Sequence, residues 1–137
     1  MACPPGTNNR QPTCGYAILG ISLKTMKPVH FVGSSRDDLR DFPDDARETA
    51  GYQLFKLQQG KDPDDWKPMT TVGVGVNEIR VRDESGNYRV LYMAKFEEAV
   101  YVLHAFVKRS HKTSKGDIQL AKGRYADLLK WRKEQRL

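Results

Sequence analysis

The chain has 137 residues, which is enough for one domain with a modest core. Charged residues make up 29% of it and no apolar run approaches the roughly 20 residues of a spanning helix, so the composition predicts a soluble protein and excludes a membrane protein. Residues 1–79 carry 9 Lys or Arg against 10 Asp or Glu (net charge −1), whereas residues 80–137 carry 14 against 7 (net charge +7). This basic end favours a nucleic-acid partner, and a solvated basic face is the alternative.

Residues 1–25 differ in composition from the rest of the chain. The run Pro4–Asn9 is rich in turn-forming residues, and the spacing of Cys3 and Cys14 matches no zinc signature, so we expect free thiols. Met26 is followed at once by a regular pattern of elements. We therefore expect residues 1–25 to be an extension without regular structure, or a start codon assigned too far upstream, and residues 26–137 to form the domain.

The first half of this domain predicts one strand and two helices. Val29–Val32 is a short β-prone run, and Ser35 with Asp38 has the spacing of a capping box, which predicts that a helix begins there. Pro43 fits the first turn of a second helix. Apolar residues at helical spacing extend that helix to Gln58–Gly60.

The second half predicts a small sheet and a closing helix. Residues 61–71 indicate a polar loop, a strand is expected from Val72 through Arg82, and a turn at Gly86 joins it to a strand over residues 88–94. Residues 99–108 predict a mostly apolar central strand. Ser114 with Asp117 repeats the capping-box spacing and starts a last helix. Its expected buried stripe is Ile118, Ala121, Tyr125 and Leu128. The predicted fold class is α+β, in the order β-α-α-β-β-β-α: a small, mainly antiparallel sheet with an N-terminal helical hairpin and a C-terminal helix.

Five cations are expected to converge on this sheet. Arg80 and Arg82 share one face of their strand, Arg89 follows the hairpin turn, and Lys108 and Arg109 end the next strand. Guanidinium groups bind phosphate through two parallel hydrogen bonds and stay charged when they are partly desolvated. The pattern therefore suits an RNA backbone and a reacting phosphate, and scattered exposed arginines on a solvated face are the alternative.

Several segments in order carry a family resemblance. Phe31–Pro43, Tyr88–Tyr92, Tyr101–Arg109 and Lys112–Ala121 resemble the phage-related Gp49/HigB-like proteins of the RelE/ParE toxin superfamily, and the resemblance runs from about residue 26 to about residue 129. It implies a RelE-like fold and the toxin of a type II toxin–antitoxin system.

The resemblance also implies an activity and its partners. RelE-like messenger-RNA interferases enter the ribosomal A site and cut the codon there without a metal or a cofactor. The ribose 2′-hydroxyl attacks the neighbouring phosphate and leaves a 2′,3′-cyclic phosphate. The implied partners are messenger RNA, ribosomal RNA and a helix-turn-helix (Xre-type) antitoxin. The implied location is the cytoplasm, with no membrane contact.

The family's catalytic set is basic, and Arg80, Arg82, Arg89 and Arg109 fall at its positions. This chain departs from the family at two points. Arg replaces the paired Lys residues of the first strand, and Lys115 stands roughly where a Tyr is expected. Arg titrates above about 12 and cannot abstract a proton, so another residue must act as the base.

Three residues are candidates for that base. His111 is the best of them, because imidazole is a side chain that titrates near neutral pH; an ordinary exposed loop histidine is the alternative. His104 alternates with Val102 and Phe106, which favours a hydrogen-bonded strand histidine. Glu78 shares the face of the first arginine pair and is expected to neutralise it, or to act as a weak base.

The remaining cations are predicted to bind RNA, and the strand aromatics to be core. The four catalytic arginines are expected to be exposed, so that their replacement by Ala leaves folding nearly intact.

Among the aromatics, Tyr92 and Phe106 are expected in the core, although strand aromatics also stack on bases in some RNA-binding proteins. The predicted RNA contacts are Lys108, Lys112, Lys115, Lys122 and Arg124.

Two other functions stay open. A ParE-like protein would inhibit DNA gyrase and cut nothing, and the retained arginines argue against it. A non-catalytic RNA-binding, phage-related protein on the same fold is the second alternative, which the missing Lys and Tyr support.

Overall fold

The computed structural model describes residues 26–137, so the predictions made for residues 1–25 and for Cys3 and Cys14 lie outside the described residues. Three helices and five strands follow one another along this part of the chain. They are β1 (Val29–Phe31), α1 (Ser35–Arg40), α2 (Asp44–Gln58), β2 (Trp66–Pro68), β3 (Asn77–Asp83), β4 (Gly86–Met93), β5 (Val100–Lys108) and α3 (Lys115–Glu134).

The strands form one open sheet in the order β1-β5-β4-β3-β2. β1 runs parallel to β5, and the other three pairings are antiparallel. The predicted α+β class, the mainly antiparallel sheet and the C-terminal helix are confirmed, and the architecture is consistent with a small RelE-like fold.

Two local predictions were wrong. The polar loop expected over residues 61–71 contains the short edge strand β2, which pairs with β3. The strand expected from Val72 begins only at Asn77, because Val72–Val76 is a turn in which the Val76 amide donates to the Gly73 carbonyl. Gly75 has a φ of +85°, a conformation that favours glycine. Val72 and Val76 are buried, so their apolar character reflects core packing and not a strand.

Period-two alternation divides the buried residues between the two faces of the sheet. On one face Ile79, Val90 and Ala105 belong to a core that also contains apolar residues of α1 and α2. On the other face Leu91 and Phe106 belong to a second core with residues of α3. The sheet is therefore covered by helices on both faces, and alternate residues of a strand pack into different cores.

The helix N-termini predicted from the sequence agree with the structure in part. Ser114 caps α3 as predicted, because its hydroxyl oxygen accepts a hydrogen bond from the Asp117 amide at 3.1 Å. At α1 the N-cap is Ser34, and the buried Ser35 hydroxyl instead donates to the Val102 carbonyl at 3.0 Å. The Ser35 hydroxyl, which was predicted to cap a helix, therefore links α1 to β5 through a hydrogen bond. Pro43 is the N-cap of α2 and precedes its first turn.

The far end of α3 is fixed to the loop before β5. Arg132 Nε donates to Glu98 Oε2 at 2.7 Å, and its Nη2 donates to the other carboxylate oxygen at 3.2 Å. The same guanidinium lies 3.5 Å from the centre of the Phe96 ring. Burial alone would raise the pKa of Glu98, but the hydrogen bonds from Arg132 and Tyr101 outweigh it and hold that pKa below its usual range.

Candidate active site

The strand register places the cations in two rows on the α3 side of the sheet. Arg80 of β3 lies opposite Arg89 of β4. One step toward the hairpin end, Arg82 lies opposite Asn87, and Asn87 lies opposite Lys108 of β5. Directly opposed residues point to the same side of a sheet, so these side chains share one surface.

This surface is the wall of an open cavity of about 780 Å³. All five residues predicted to be catalytic line it, together with one predicted RNA contact. The lining residues are Arg80, Arg82, Asn87, Arg89, Lys108, Arg109, Ser110 and His111. The structure thus brings together, from two strands and one strand end, the cations that the sequence predicted to converge.

A buried carboxylate lies beside the cations, on the same face of β3 as Arg80. Glu78 has no solvent exposure, and its Oε1 lies 3.4 Å from Arg89 Nε, 3.6 Å from Arg80 Nε and 3.9 Å from Lys67 Nζ. Among residues 26–137 neither carboxylate oxygen has a hydrogen-bond partner, so Glu78 acts on these groups through charge. The expectation that Glu78 neutralises the arginines agrees with this geometry, and its burial leaves it poorly placed to meet a substrate as a base.

Arg89 differs from the exposed arginine that was expected. It is only 5% exposed, and its Nη1 donates to the Tyr88 carbonyl at 3.0 Å. Burial lowers the pKa of Arg89 and the charge of Glu78 opposes that shift. The expectation that all four arginines are exposed is therefore wrong for Arg89, and we expect its removal to cost stability because the buried Glu78 would lose one neighbouring cation.

Lys108 is half-buried in the same wall. Burial lowers the pKa of its ammonium, and the neighbouring positive charge of Arg89 lowers it further, while Glu78 acts in the opposite direction. Both effects disfavour the charged form of a lysine. Lys108 therefore differs from the exposed lysines of residues 80–137, because its surroundings lower its pKa.

The loop after β5 carries the remaining site residues. Arg109 and His111 are exposed and line the cavity from its rim, and the Ser110 hydroxyl donates to the Lys112 carbonyl at 2.7 Å. A second cavity of about 370 Å³ adjoins the first through Lys108, Arg109 and Ser110 and includes Lys112. Lys115 and Lys122 are exposed on α3, outside these two cavities.

Arg124 is not placed to bind RNA, and that prediction is corrected. Its guanidinium is buried, with Nη1 donating to the Leu103 carbonyl at 2.8 Å and Nη2 to Ser34 Oγ at 2.7 Å. It lies so close to Gly33, whose φ is +61°, that a side chain at Gly33 would place a Cβ 2.6 Å from its Nε. Arg124 therefore joins α3 to the turn before α1 and to β5.

His104 and the strand aromatics are buried. His104 Nε2 is 2.7 Å from Asp117 Oδ1, and its ring stacks on Phe106 with 4.9 Å between centroids. The interpretation of His104 as a hydrogen-bonded strand histidine is confirmed. Tyr92 and Phe106 lie in the core as predicted, and Tyr88, which packs against Phe42, is buried with them.

Two residues near the site were missed by sequence reasoning. Lys67 of β2 lies opposite Glu78, and Asn87 lies between Arg82 and Lys108 in the second row. The only signal for Lys67 was its place between two prolines, which was read as a loop. Asn87 follows Gly86 and was assigned to the turn alone.

Residues 26–137 contain neither a membrane-spanning helix nor a metal-binding cluster. No helix of residues 26–137 is long and apolar enough to cross a membrane. The same part of the chain holds no group of three or more His, Cys, Asp and Glu side chains arranged to hold a metal ion.

Fold and site together define a small α+β protein with a cation-lined cavity at one end of a five-stranded sheet. The family model described as Phage derived protein Gp49-like (DUF891) matches residues 37–126, which is more than half of the chain, so this chain belongs to that family. A search of curated proteins finds no match. The matched segment contains α2, β3, β4 and β5, and with them every residue that lines the cavity.

Proposed function

We propose that this protein is the toxin of a type II toxin–antitoxin pair and that it cleaves messenger RNA in the ribosomal A site. One observation carries the proposal: Arg80, Arg82, Arg89 and Arg109 line a single open cavity next to Lys108 and His111. Membership in the Gp49-like family supports the general class, because the resemblance of that family to RelE-like toxins implies such an activity.

The chemistry of the cavity fits a phosphodiester in RNA. In the reaction, the 2′-oxygen attacks phosphorus, the bond from phosphorus to the 5′-oxygen breaks, and a 2′,3′-cyclic phosphate remains. Negative charge builds on the phosphorane oxygens, and fixed guanidinium donors in a partly buried site stabilise such charge. The charge of the buried Glu78 attracts Arg89 and Arg80, which favours both guanidinium groups in the cavity wall before the substrate arrives.

The cavity is open and polar, as a macromolecular substrate requires. Exposed lysines continue the positive surface beyond it along α3, at Lys115 and Lys122. The basic half of the chain, with its net charge of +7, would also complement ribosomal RNA and an acidic segment of a helix-turn-helix antitoxin.

The direct test uses ribosomes that carry a defined messenger RNA with an occupied P site. The purified protein is added, and cleavage and the end group of the product are followed together. We expect a cut within the A-site codon and a 2′,3′-cyclic phosphate. A parallel assay measures supercoiling by purified DNA gyrase.

Each alternative has its own result in this pair of assays. Inhibition of gyrase without RNA cleavage would replace the proposal with a ParE-like function. Salt-sensitive ribosome binding without cleavage would favour a non-catalytic RNA-binding protein. A 5′-phosphate at the cut would exclude attack by the 2′-hydroxyl.

A further inference from the structure

The arginines of the cavity leave one chemical role unfilled. Attack by a 2′-hydroxyl requires a group that accepts its proton, and a guanidinium cannot do so because it stays protonated. Of the residues that line the cavity, Lys108 and His111 are the side chains that can exchange a proton in the accessible pH range. Under the proposed function, on which this assignment rests, one of these two side chains accepts the proton.

The backbone holds Lys108 more firmly than His111. Lys108 is the last residue of β5, paired with Asn87 of β4, and it lines both adjoining cavities. His111 is exposed in the loop three residues further on. A base on a strand is held in place by the sheet, whereas a base on an exposed loop must be ordered by the substrate.

The charges around Lys108 come from every element packed near it. These groups are Lys67 from β2, then Glu78, Arg80 and Arg82 from β3, Arg89 from β4, Arg109, His111 and Lys112 from the loop after β5, and Asp117 from α3. Cations dominate this set, and the two acids are both engaged, Glu78 with Arg89 and Arg80, and Asp117 with His104. Such an environment favours a neutral amine over an ammonium.

We propose that Lys108 is the general base of the reaction. Its neutral Nζ takes the proton of the 2′-hydroxyl while the 2′-oxygen forms its bond to phosphorus. The electron pair of the breaking bond moves to the 5′-oxygen, which takes a proton from solvent in the open cavity. Lys108 ends as an ammonium among the arginines and returns its proton to solvent after the product leaves.

The role has a pH signature. Because the reactive form of Lys108 is the neutral amine, the cleavage rate rises with pH until the lysine is mostly deprotonated. Burial and the charge of Arg89 lower the pKa of Lys108, so this rise occurs at lower pH than the ordinary lysine pKa of about 10.4 would give.

The kinetic test compares Lys108→Arg with Lys108→Ala, and uses Lys61→Arg, in an exposed loop, as the control. Arginine keeps the charge but cannot accept the proton, so we expect both Lys108 variants to lose about 100- to 10,000-fold in kcat, the range for loss of a general base. Lys108→Ala should lose the rise with pH, and small primary amines should restore its activity in proportion to their free-base form. A Lys108→Arg rate equal to that of the wild type would overturn the inference, because Lys108 would then only bind RNA.

A second measurement does not depend on cleavage. The side-chain amine of Lys108 is titrated by NMR in the folded protein and in urea, and its resonance is assigned by its loss in Lys108→Arg. We expect Lys108 to deprotonate at lower pH in the folded protein, and equal titration in the two states would overturn the inference. If Lys108 titrates as expected but the wild-type protein cuts no RNA, the proposed function fails, and the base assignment fails with it for lack of a reaction.

Discussion

Replacing Glu78 by Gln should be among the most destabilising single changes in this protein. The side chain has no solvent exposure, and its nearest cation, Arg89, is itself buried. At an effective dielectric constant of about 20, the 3.4 Å contact with Arg89 corresponds to about 5 kcal/mol of attraction before desolvation is subtracted. Removal of one partner from a buried ion pair costs about 3–5 kcal/mol, because the other charge remains buried without compensation.

Arg89 is the residue whose buried charge loses its compensation in Glu78→Gln. The side chains of Arg80 and Lys67 are 27% and 42% exposed, so water can hydrate them when Glu78 loses its charge. Arg89 is too buried for that. For a domain of this size, a loss of about 3–5 kcal/mol corresponds to a fall in Tm of about 12–20 °C, at roughly 4 °C per kcal/mol.

Urea unfolding at neutral pH measures the change, with Glu84→Gln in the exposed hairpin turn as the matched control. The control should stay within about 0.5 kcal/mol of the wild type. A double variant with Met at both 78 and 89 should recover much of the loss, since apolar replacement of a whole buried pair is often neutral. If Glu78→Gln unfolds within about 0.5 kcal/mol of the wild type at an unchanged m-value, the buried charge of Glu78 does not stabilise the fold through Arg89.

Three further results are expected. Arg124→Lys should cost about 2–3 kcal/mol of unfolding free energy, because the buried Leu103 carbonyl loses its guanidinium donor. Ribosome affinity should be unchanged. An intact fold with weakened RNA binding would instead support a role of Arg124 in RNA binding. Arg132→Met should cost about 2 kcal/mol at pH 7. Glu98 has a depressed pKa in the folded state, so its stabilising effect is present above the unfolded pKa of about 4.3 and is lost as the pH falls through the folded value. Unfolding curves from pH 7 to pH 2 should therefore converge for wild type and Arg132→Met. Ribosome binding should weaken with salt at a log–log slope of about −3 if the four cavity arginines each contact a phosphate of single-stranded RNA, and a flat dependence would favour a protein target.

The sequence predicted the position of the site better than the burial of its members. Alternation along β3 and a hairpin turn at Gly86 are local features, and together they determine which side chains of β3 and β4 share a face. Arg80, Arg82 and Arg89 could therefore be placed together from the sequence alone. The fold class followed in the same way from the order of periodic segments.

The errors arose where distant segments decide the outcome. Arg89 lies opposite Phe106 of β5, and this pairing with a strand beyond the hairpin, which helps to bury Arg89, is not local. Arg124 occupies the buried stripe of α3 because Ser34 and Leu103, from the other end of the chain and from β5, accept its hydrogen bonds. β2 has only three residues, too few for a periodic pattern to reveal it.

The central claim is that the cation-lined cavity is where RNA is cut, and one pair of variants tests it most directly. Arg109 is exposed at the cavity rim, and Arg47 is a comparably exposed arginine on α2, the helix that packs on the opposite face of the sheet. Each is replaced by Ala, unfolding curves establish that both proteins are folded, and single-turnover cleavage of A-site messenger RNA is measured on ribosomes. We predict that Arg109→Ala cuts about 100- to 1000-fold more slowly than the wild type and that Arg47→Ala cuts at the wild-type rate. Equal rates for the two variants, or a slower rate for Arg47→Ala, would contradict the assignment of the cavity as the active site.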